Sequence, residues 1–324
     1  MTFSQKVKQE LISSFTAGVE QSMLAGILLA SGNLIISQSA ISFCVSSESE
    51  SVIEFAQRLI LNEEPSAELE ISRVRRNFKN KERIELEIDS VSGERVLVKL
   101  GILEFDKNGN RQINTLGGNF LRIESDSKLA FLSGLFLGAG SVSVPSSVEL
   151  EDLNLSTKSS GYHFEWQASN ENLANLICEE IAEFDVLPKK VERNDVYVVY
   201  LKESEAISNI LGLLGAHKCL LEFENERAGR QMRNLINRQA NCTMANIGKS
   251  INAAMEQLEA IEIIRDTIGI ESLPESLMEI ALARLSNPEG SLSDIINLLS
   301  KKISKGAVSQ KFKKLIEISK ELKE

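Results

Sequence analysis

The chain has 324 residues, 43% of them apolar, and a formal charge of −10. Its length suits two or three folded domains, and its ordinary apolar share excludes a disordered chain. The longest apolar stretch near the first motif, residues 23–36, is interrupted by Ser31, Gly32 and Asn33 and falls short of the roughly 20 residues that span a bilayer.

The opening residues Met1-Thr2-Phe3-Ser4-Gln5-Lys6-Val7 hold no secretory apolar core, so a cytoplasmic address is expected, with no membrane association. Residues 24–32 read Leu-Ala-Gly-Ile-Leu-Leu-Ala-Ser-Gly, and residues 132–140 read Leu-Ser-Gly-Leu-Phe-Leu-Gly-Ala-Gly. Small residues recur at matched places, Ala25, Gly26 and Ala30 in one and Ser133, Gly134 and Gly138 in the other. Two such helices can approach backbone to backbone, and Gly32 and Gly140 are expected to take a left-handed turn that ends each one.

Apolar periodicity after the first phrase predicts a strand at 41–45, a helix at 50–61, strands at 68–71 and 83–88, and a helix at 93–103. The second phrase is followed by the same series: a strand at 162–168, a helix at 171–184, strands at 190–192 and 197–201, and a helix at 203–214. Pro65 and Pro188 match at an offset of 123, whereas the phrases match at 108, which places an insertion of about 15 residues within 141–160. Both halves read αββαββα.

Several local features carry no chemistry. Asp106-Lys107-Asn108-Gly109-Asn110 resembles the start of a calcium loop, but Arg111 and Gly117 stand where that loop needs Gly and Glu, so a turn between the halves is expected. The basic hairpin over 73–83 is flanked by Glu68, Glu70, Glu85 and Glu87 and reads as solvated and self-neutralised. His163 lies in an alternating run and reads as a half-exposed strand residue. Cys44, Cys178, Cys219 and Cys242 are far apart and imply neither a zinc site nor a disulfide framework, only reduced thiols.

The two phrases resemble the LAGLIDADG motif of homing endonucleases. In that family an acid at the eighth position of each phrase holds the divalent metals that cut DNA; here those positions are Ser31 and Ala139. Neither side chain supplies the negative charge, and no carboxylate occurs at 30–45 or 138–148. The resemblance therefore implies the fold without the cutting chemistry: no catalytic residue, no metal and no cofactor.

Beyond residue 226 the pattern becomes helical. Residues 1–226 carry 21 basic against 34 acidic side chains, whereas 227–324 carry 15 against 12. A phosphate backbone is repelled by the first part, so DNA contact is expected in the C-terminal third. An arginine-rich segment at 224–234 leads to a long amphipathic helix at 247–268 ending at Gly269, and Pro274 starts a helix to Leu285 that Asn287-Pro288-Glu289-Gly290 breaks.

Ser291-Leu292-Ser293-Asp294 is a capping-box pattern opening a short helix, with Leu292, Ile295, Ile296 and Leu299 on one face. A second helix starts after Ser304, with Val308, Phe312, Leu315 and Ser319 inward and Gly306, Gln310, Lys313, Lys314 and Glu317 opposite. That is the pattern of a helix-turn-helix, although an ordinary helical hairpin with a solvated lysine face fits this segment equally. As a recognition helix it assigns Ser304, Lys305, Gly306, Ala307, Ser309, Gln310, Lys311, Lys313 and Lys314 to DNA, with Gln310 on a base edge and the lysines on phosphates.

A LAGLIDADG-like body without its two motif acids, an arginine-rich connector and a C-terminal helix-turn-helix together resemble the WhiA family of bacterial sporulation and cell-division regulators. Leu221-Glu222-Phe223-Glu224-Asn225, the run at 233–238, Asn241-Cys242-Thr243-Met244-Ala245-Asn246, Ser272-Leu273-Pro274 and Ile303-Ser304-Lys305-Gly306-Ala307-Val308 carry the match. The expected fold class is α+β, a duplicated αββαββα LAGLIDADG-like domain at 1–222 (repeats at about 1–105 and 120–222), a helical connector at 223–270 and an all-α helix-turn-helix domain at 271–324.

The resemblance implies a nucleoid-associated, DNA-binding transcriptional regulator of cell division and chromosome segregation, without enzyme activity. Double-stranded DNA is the expected partner of its C-terminal domain, and the acidic body is expected to offer a surface to a protein partner. Ser309-Gln310-Lys311 departs from the family's usual Asn-His-Arg stretch, so a different base preference is expected. The competing readings are an active metal-dependent LAGLIDADG endonuclease and a protein-binding scaffold with incidental DNA contact.

Overall fold

A computed structural model of the protein describes residues 1–36, 41–75, 82–114, 125–145, 161–193 and 196–323. Two units are distinguished within it, Met1–Arg230 and Gln231–Glu324.

In the first unit each motif phrase becomes a helix that is apolar nearly all round, which suits a helix buried on every side. Helix α2 is Glu20–Ser31 and α5 is Ser125–Ala139. They pack against each other at the centre of the unit with their glycines in register: a Cβ on Gly134 would stand 2.2 Å from the Met23 carbonyl oxygen. Larger residues there would separate the helices.

Two four-stranded antiparallel sheets flank this pair. The first contains β1 (Gly32–Ile36), β2 (Ile41–Ser47), β3 (Leu69–Arg75) and β4 (Glu82–Ile88), in the order β1-β2-β4-β3. The second contains β7 (Ser141–Ser143), β8 (His163–Ala168), β9 (Lys189–Arg193) and β10 (Val196–Leu201), in the order β7-β8-β10-β9. Helices α3 (Glu50–Glu63) and α4 (Ser90–Lys99) belong to the first repeat, α6 (Glu171–Ala182) and α7 (Ser204–Leu213) to the second. Identical strand order in the two sheets is the duplication written in three dimensions, and the class is α+β with an αββαββα repeat.

Phe136 stacks on Phe164 with centroids 4.9 Å apart, Phe164 meets Trp166 edge-on at 4.4 Å, and the Trp166 indole donates to the Leu132 carbonyl at 3.2 Å. These contacts tie β8 to α5, with the buried indole N–H satisfied as burial requires.

Several expectations are corrected. Gly32 has φ −80° and ψ 144°, so it is extended rather than left-handed, and Gly140 is also absent from the positive-φ glycines. What both need is space: a Cβ would fall 2.4 Å from the Leu28 carbonyl oxygen at Gly32 and 2.3 Å from the Phe136 ring at Gly140. Helix α4 starts three residues earlier than expected because Asp89 caps it, accepting from the Val91 and Ser92 amides at 3.0 and 2.9 Å. It stops before Gly101, whose φ is 61°. The residues beyond it form a hairpin of β5 (Leu103–Phe105) and β6 (Arg111–Ile113), in which the Asp106 carboxylate accepts from the Asn108 and Asn110 amides, both at 2.8 Å. The calcium-loop lookalike is an Asx-stabilised turn inside this hairpin. The inserted stretch lies largely outside the described residues, as does the tip of the basic hairpin at 76–81; within its described arms, Arg73 pairs with Glu50 at 2.9 Å and Arg75 with Glu82 at 3.8 Å.

Helix α1 (Phe3–Ser13) was missed by apolar periodicity, but its cap was legible: Thr2 accepts from the Gln5 amide and the Gln5 side chain returns a bond to the Thr2 amide. Val7 and Leu11 bury its inner face, and Glu10 accepts from the Lys218 and Cys219 amides at 2.6 and 2.8 Å. The long helix is also longer than expected, running as α8 over His217–Thr267. Its polar, arginine-rich stretch lacks an apolar stripe yet contains no proline, so nothing interrupts the backbone ladder.

Within the second unit α8 gives way at Gly269, φ 78°, to a 3₁₀ turn, Ile270–Ser272, followed by α9 (Glu275–Ser286), α10 (Leu292–Leu298) and α11 (Lys305–Glu321). Ile261, Ile264, Leu277, Ile280, Ile295, Val308, Phe312 and Leu315 form its core. The described part of this unit is all helical.

Candidate nucleic-acid interface

The helix pair α10 and α11 is built from two serine caps. Ser291 accepts from the Asp294 amide at 3.3 Å while Asp294 accepts from the Ser291 amide at 2.8 Å, completing a capping box. Ser304 accepts from the Ala307 amide at 3.2 Å and opens α11. Val308, Phe312, Leu315 and Ser319 are all buried on its inner face. The reverse face is in solvent: Gly306, Gln310, Lys313, Lys314 and Glu317 are exposed, as are Ser304 and Lys305 at its start. Ala307 and Ser309 sit on its flanks, half-buried. Lys311 is turned sideways, its ammonium 3.2 Å from the Ser276 carbonyl oxygen of α9.

From Ser300 onward eight lysines face three glutamates, so this end of the unit is strongly cationic. Glu279 accepts from the Ser300 amide at 2.5 Å, and donation from Ser300 holds its carboxyl below the ordinary range. This bond fixes the turn between α10 and α11.

Arg284, overlooked in the sequence, organises the rest. Only 2% exposed, it donates from Nε to Gln257 Oε1 at 3.0 Å and from Nη1 to the Gly290 carbonyl oxygen at 2.6 Å, with its guanidinium 5.2 Å from the centre of the Phe312 ring. One planar fork thus joins α8, the turn after α9 and the buried face of α11. No sequence signal separated it from a surface arginine, because its partners are a side-chain amide and backbone carbonyls rather than an acid.

At the other candidate site, the ends of the two motif helices, the Ser31 hydroxyl donates to its own helix at the Ile27 carbonyl oxygen, 2.9 Å away. A Cβ added to Gly138 would lie 3.1 Å from that hydroxyl oxygen and 2.8 Å from Ala30 Cβ, so the helix ends meet closely. Ser31 and Ala139 both border a cavity of about 650 Å³ at this junction. Lys8 of α1 reaches in and donates from Nζ to the Leu137 carbonyl oxygen at 2.9 Å, one of the last carbonyls of α5. A hydroxyl, a methyl, an ammonium and the single Glu48 carboxylate of the cavity wall do not fit a divalent cation, which needs several anionic oxygens. Among the described residues no three His, Cys, Asp or Glu side chains cluster as metal ligands.

His163 lies on β8, its Nε2 3.0 Å from Glu165 Oε2 and its ring stacked on Tyr200 at 5.6 Å, a packed strand residue as expected. Cys44 and Cys219 are buried, Cys178 is half-buried and Cys242 exposed, all as free thiols. No described helix is long and apolar enough to cross a membrane.

Comparison with known proteins settles the lineage. The model of the WhiA C-terminal HTH domain matches residues 236–319, and that of the WhiA LAGLIDADG-like domain matches 128–233. The chain belongs to the WhiA family. Among its relatives, the probable cell division protein WhiA of Clostridium acetobutylicum is 32% identical over 328 residues, spanning 100% of this chain and 99% of the relative. That of Thermoanaerobacter sp. (strain X514) is 33% identical over 330 residues, with the same coverage. The crystal structure of full-length DUF199/WhiA from Thermatoga maritima aligns over 99% of both chains with a TM-score of 0.56 at 23% identity, a likeness of fold. This WhiA-family chain therefore carries a LAGLIDADG-like domain without its acids, and a helix-turn-helix domain.

Proposed function

We propose that this WhiA-family protein is a DNA-binding regulator that acts in cell division, and that its nuclease-derived body does not cut DNA. The observation that carries the reading is the division of α11 into a fully buried stripe and an exposed face of Gly306, Gln310, Lys313 and Lys314. A helix presenting small residues at its N-terminus, an amide donor and two ammonium groups fits a major groove. Ser304, Lys305, Ala307 and Ser309 lie along the same approach and are assigned contacts to phosphate and sugar, while Lys311 orients α11 through Ser276 and contacts phosphate only from the flank. Cell division enters from the names of the relatives, and a cytoplasmic, nucleoid-bound location follows from the partner.

The acid-free motif ends support a non-enzymatic role. The N-terminal body, with its excess of carboxylates, repels DNA and is assigned to a protein partner. Binding of the full chain to genomic DNA fragments, measured against salt, tests the proposal: affinity should fall steeply with salt and collapse when Lys313 and Lys314 are both replaced by Ala. Binding unaffected by that pair would exclude α11 as the contact.

A further inference from the structure

The cavity at the ends of the motif helices is not explained by DNA binding through α11. At about 650 Å³ it has the size of a small-ligand site, and it draws its wall from α1, both motif helices and both sheets. That wall is polar. Lys8 and Arg83 supply two cations, Glu48 one carboxylate, and Asn33 and Gln167 two side-chain amides.

Ser31 and Ala139 bring no carboxylate to this place, and the two cations Lys8 and Arg83 outnumber the one carboxylate, Glu48, so the side-chain charge of the wall is net positive and suits an anion. Lys8 spends one of its three donors on Leu137, and Arg83 lies 3.5 Å from the Ser46 hydroxyl through a single Nη1. Burial lowers the Lys8 ammonium to about 8, and Glu48 pulls it back up.

We propose that this cavity binds a small phosphate ester, a ribonucleoside monophosphate in size and chemistry, as an effector of the protein. Lys8 and Arg83 take the phosphate through charge-assisted bonds. Glu48 accepts from the vicinal ribose hydroxyls, the role a carboxylate plays in nucleotide sites. Asn33 and Gln167 provide donors and acceptors for a base edge. The remaining hydroxyls of the wall, Ser46 among them, complete the polar surface.

The test is calorimetric titration of the full-length protein with the four 5′-ribonucleoside monophosphates, their 2′-deoxy counterparts and inorganic phosphate. At least one ribonucleotide should bind, and Lys8→Met or Arg83→Gln should each weaken it about tenfold, the loss of one charge-assisted bond. The preference for the ribose over the deoxyribose form should disappear in Glu48→Gln. Should Lys8→Met fail to fold, the half-exposed Arg83→Gln carries the same test. No binding by any of the four ribonucleotides, or an affinity unchanged in Arg83→Gln, overturns the proposal. So does inorganic phosphate binding as tightly as the best nucleotide, since the sugar and base would then contribute nothing.

Discussion

Gly26 and Gly134 meet across the centre of the body: a Cβ on Gly26 would lie 2.9 Å from the Gly134 Cα, and one on Gly134 would lie 3.1 Å from the Gly26 Cα. The nearest atoms on either side are backbone, which cannot swing away. Gly134→Leu and Gly26→Leu should each lower stability by about 3 kcal/mol or prevent folding, and even Gly134→Ala should be costly. Thermal melts check this, and an unchanged midpoint in both Leu variants would show that the helices do not pack this way.

Purified protein should leave DNA intact in Mg²⁺ or Mn²⁺. Ser31→Asp with Ala139→Asp should not restore cutting, because Lys8 stands beside the new carboxylates as a ready counter-ion and the acidic surface still repels the substrate. Nicking assays on supercoiled plasmid decide the point, and robust metal-dependent cleavage by either protein would contradict it.

Lys313→Ala and Lys314→Ala should each reduce the salt slope of DNA binding by roughly 1 and weaken all sequences alike, as phosphate contacts do. Gln310→Ala should instead cost about 1 to 3 kcal/mol at one base position and relax preference there. Competition assays with site-variant duplexes separate the two patterns.

Removal of Arg284 should loosen the second unit as a whole. Arg284→Leu keeps the volume against Phe312 but leaves Gln257 and the Gly290 carbonyl without their donor, at a cost on the order of 3 kcal/mol. Chemical denaturation followed by helical signal measures the loss, and weakened DNA binding should accompany it.

Lys8 links stability to alkaline pH. Its folded value of about 8 lies below the ordinary 10.5, so between those limits the unfolded chain still holds a proton that the folded chain has released. Stability from this group therefore rises with pH across that window, by as much as ~3 kcal/mol. Denaturation midpoints of the wild type and Lys8→Met, compared from pH 7.5 to 10.5, should diverge in favour of the wild type as pH increases.

Much of this architecture was readable from spacing alone. The matched phrases, the Pro65 and Pro188 register and the alternating strands led to the duplicated repeat, although β1 and β7, directly after the motif helices, were not placed, and the inward stripe Val308, Phe312, Leu315 and Ser319 is buried as read. Hidden features were those whose cause is not periodic. Arg284 finds partners distant in sequence, Lys8 rides on a helix announced only by its cap, and α8 persists through a stretch with no apolar face. Gly32 and Gly140 stand at the helix ends as read, but sterics and not left-handed backbone explain them.

The passage from α2 into β1 occurs without a loop, Ser31 closing the helix and Gly32 opening the strand. Because strand side chains alternate, a single residue added at that joint would turn Leu34 and Ile36 to the opposite side of the sheet and shift their partners Phe43 and Ile41 out of step. The β1 side chains are exposed, so what such an insertion would disturb is the pairing with β2 and not a buried face, and the second repeat places its additional residues beyond β7, after the ladder has begun. The extra length of the second repeat thus enters between the first two strands of its sheet, and Gly32 and Gly140 keep matched places at the two helix-to-strand joints.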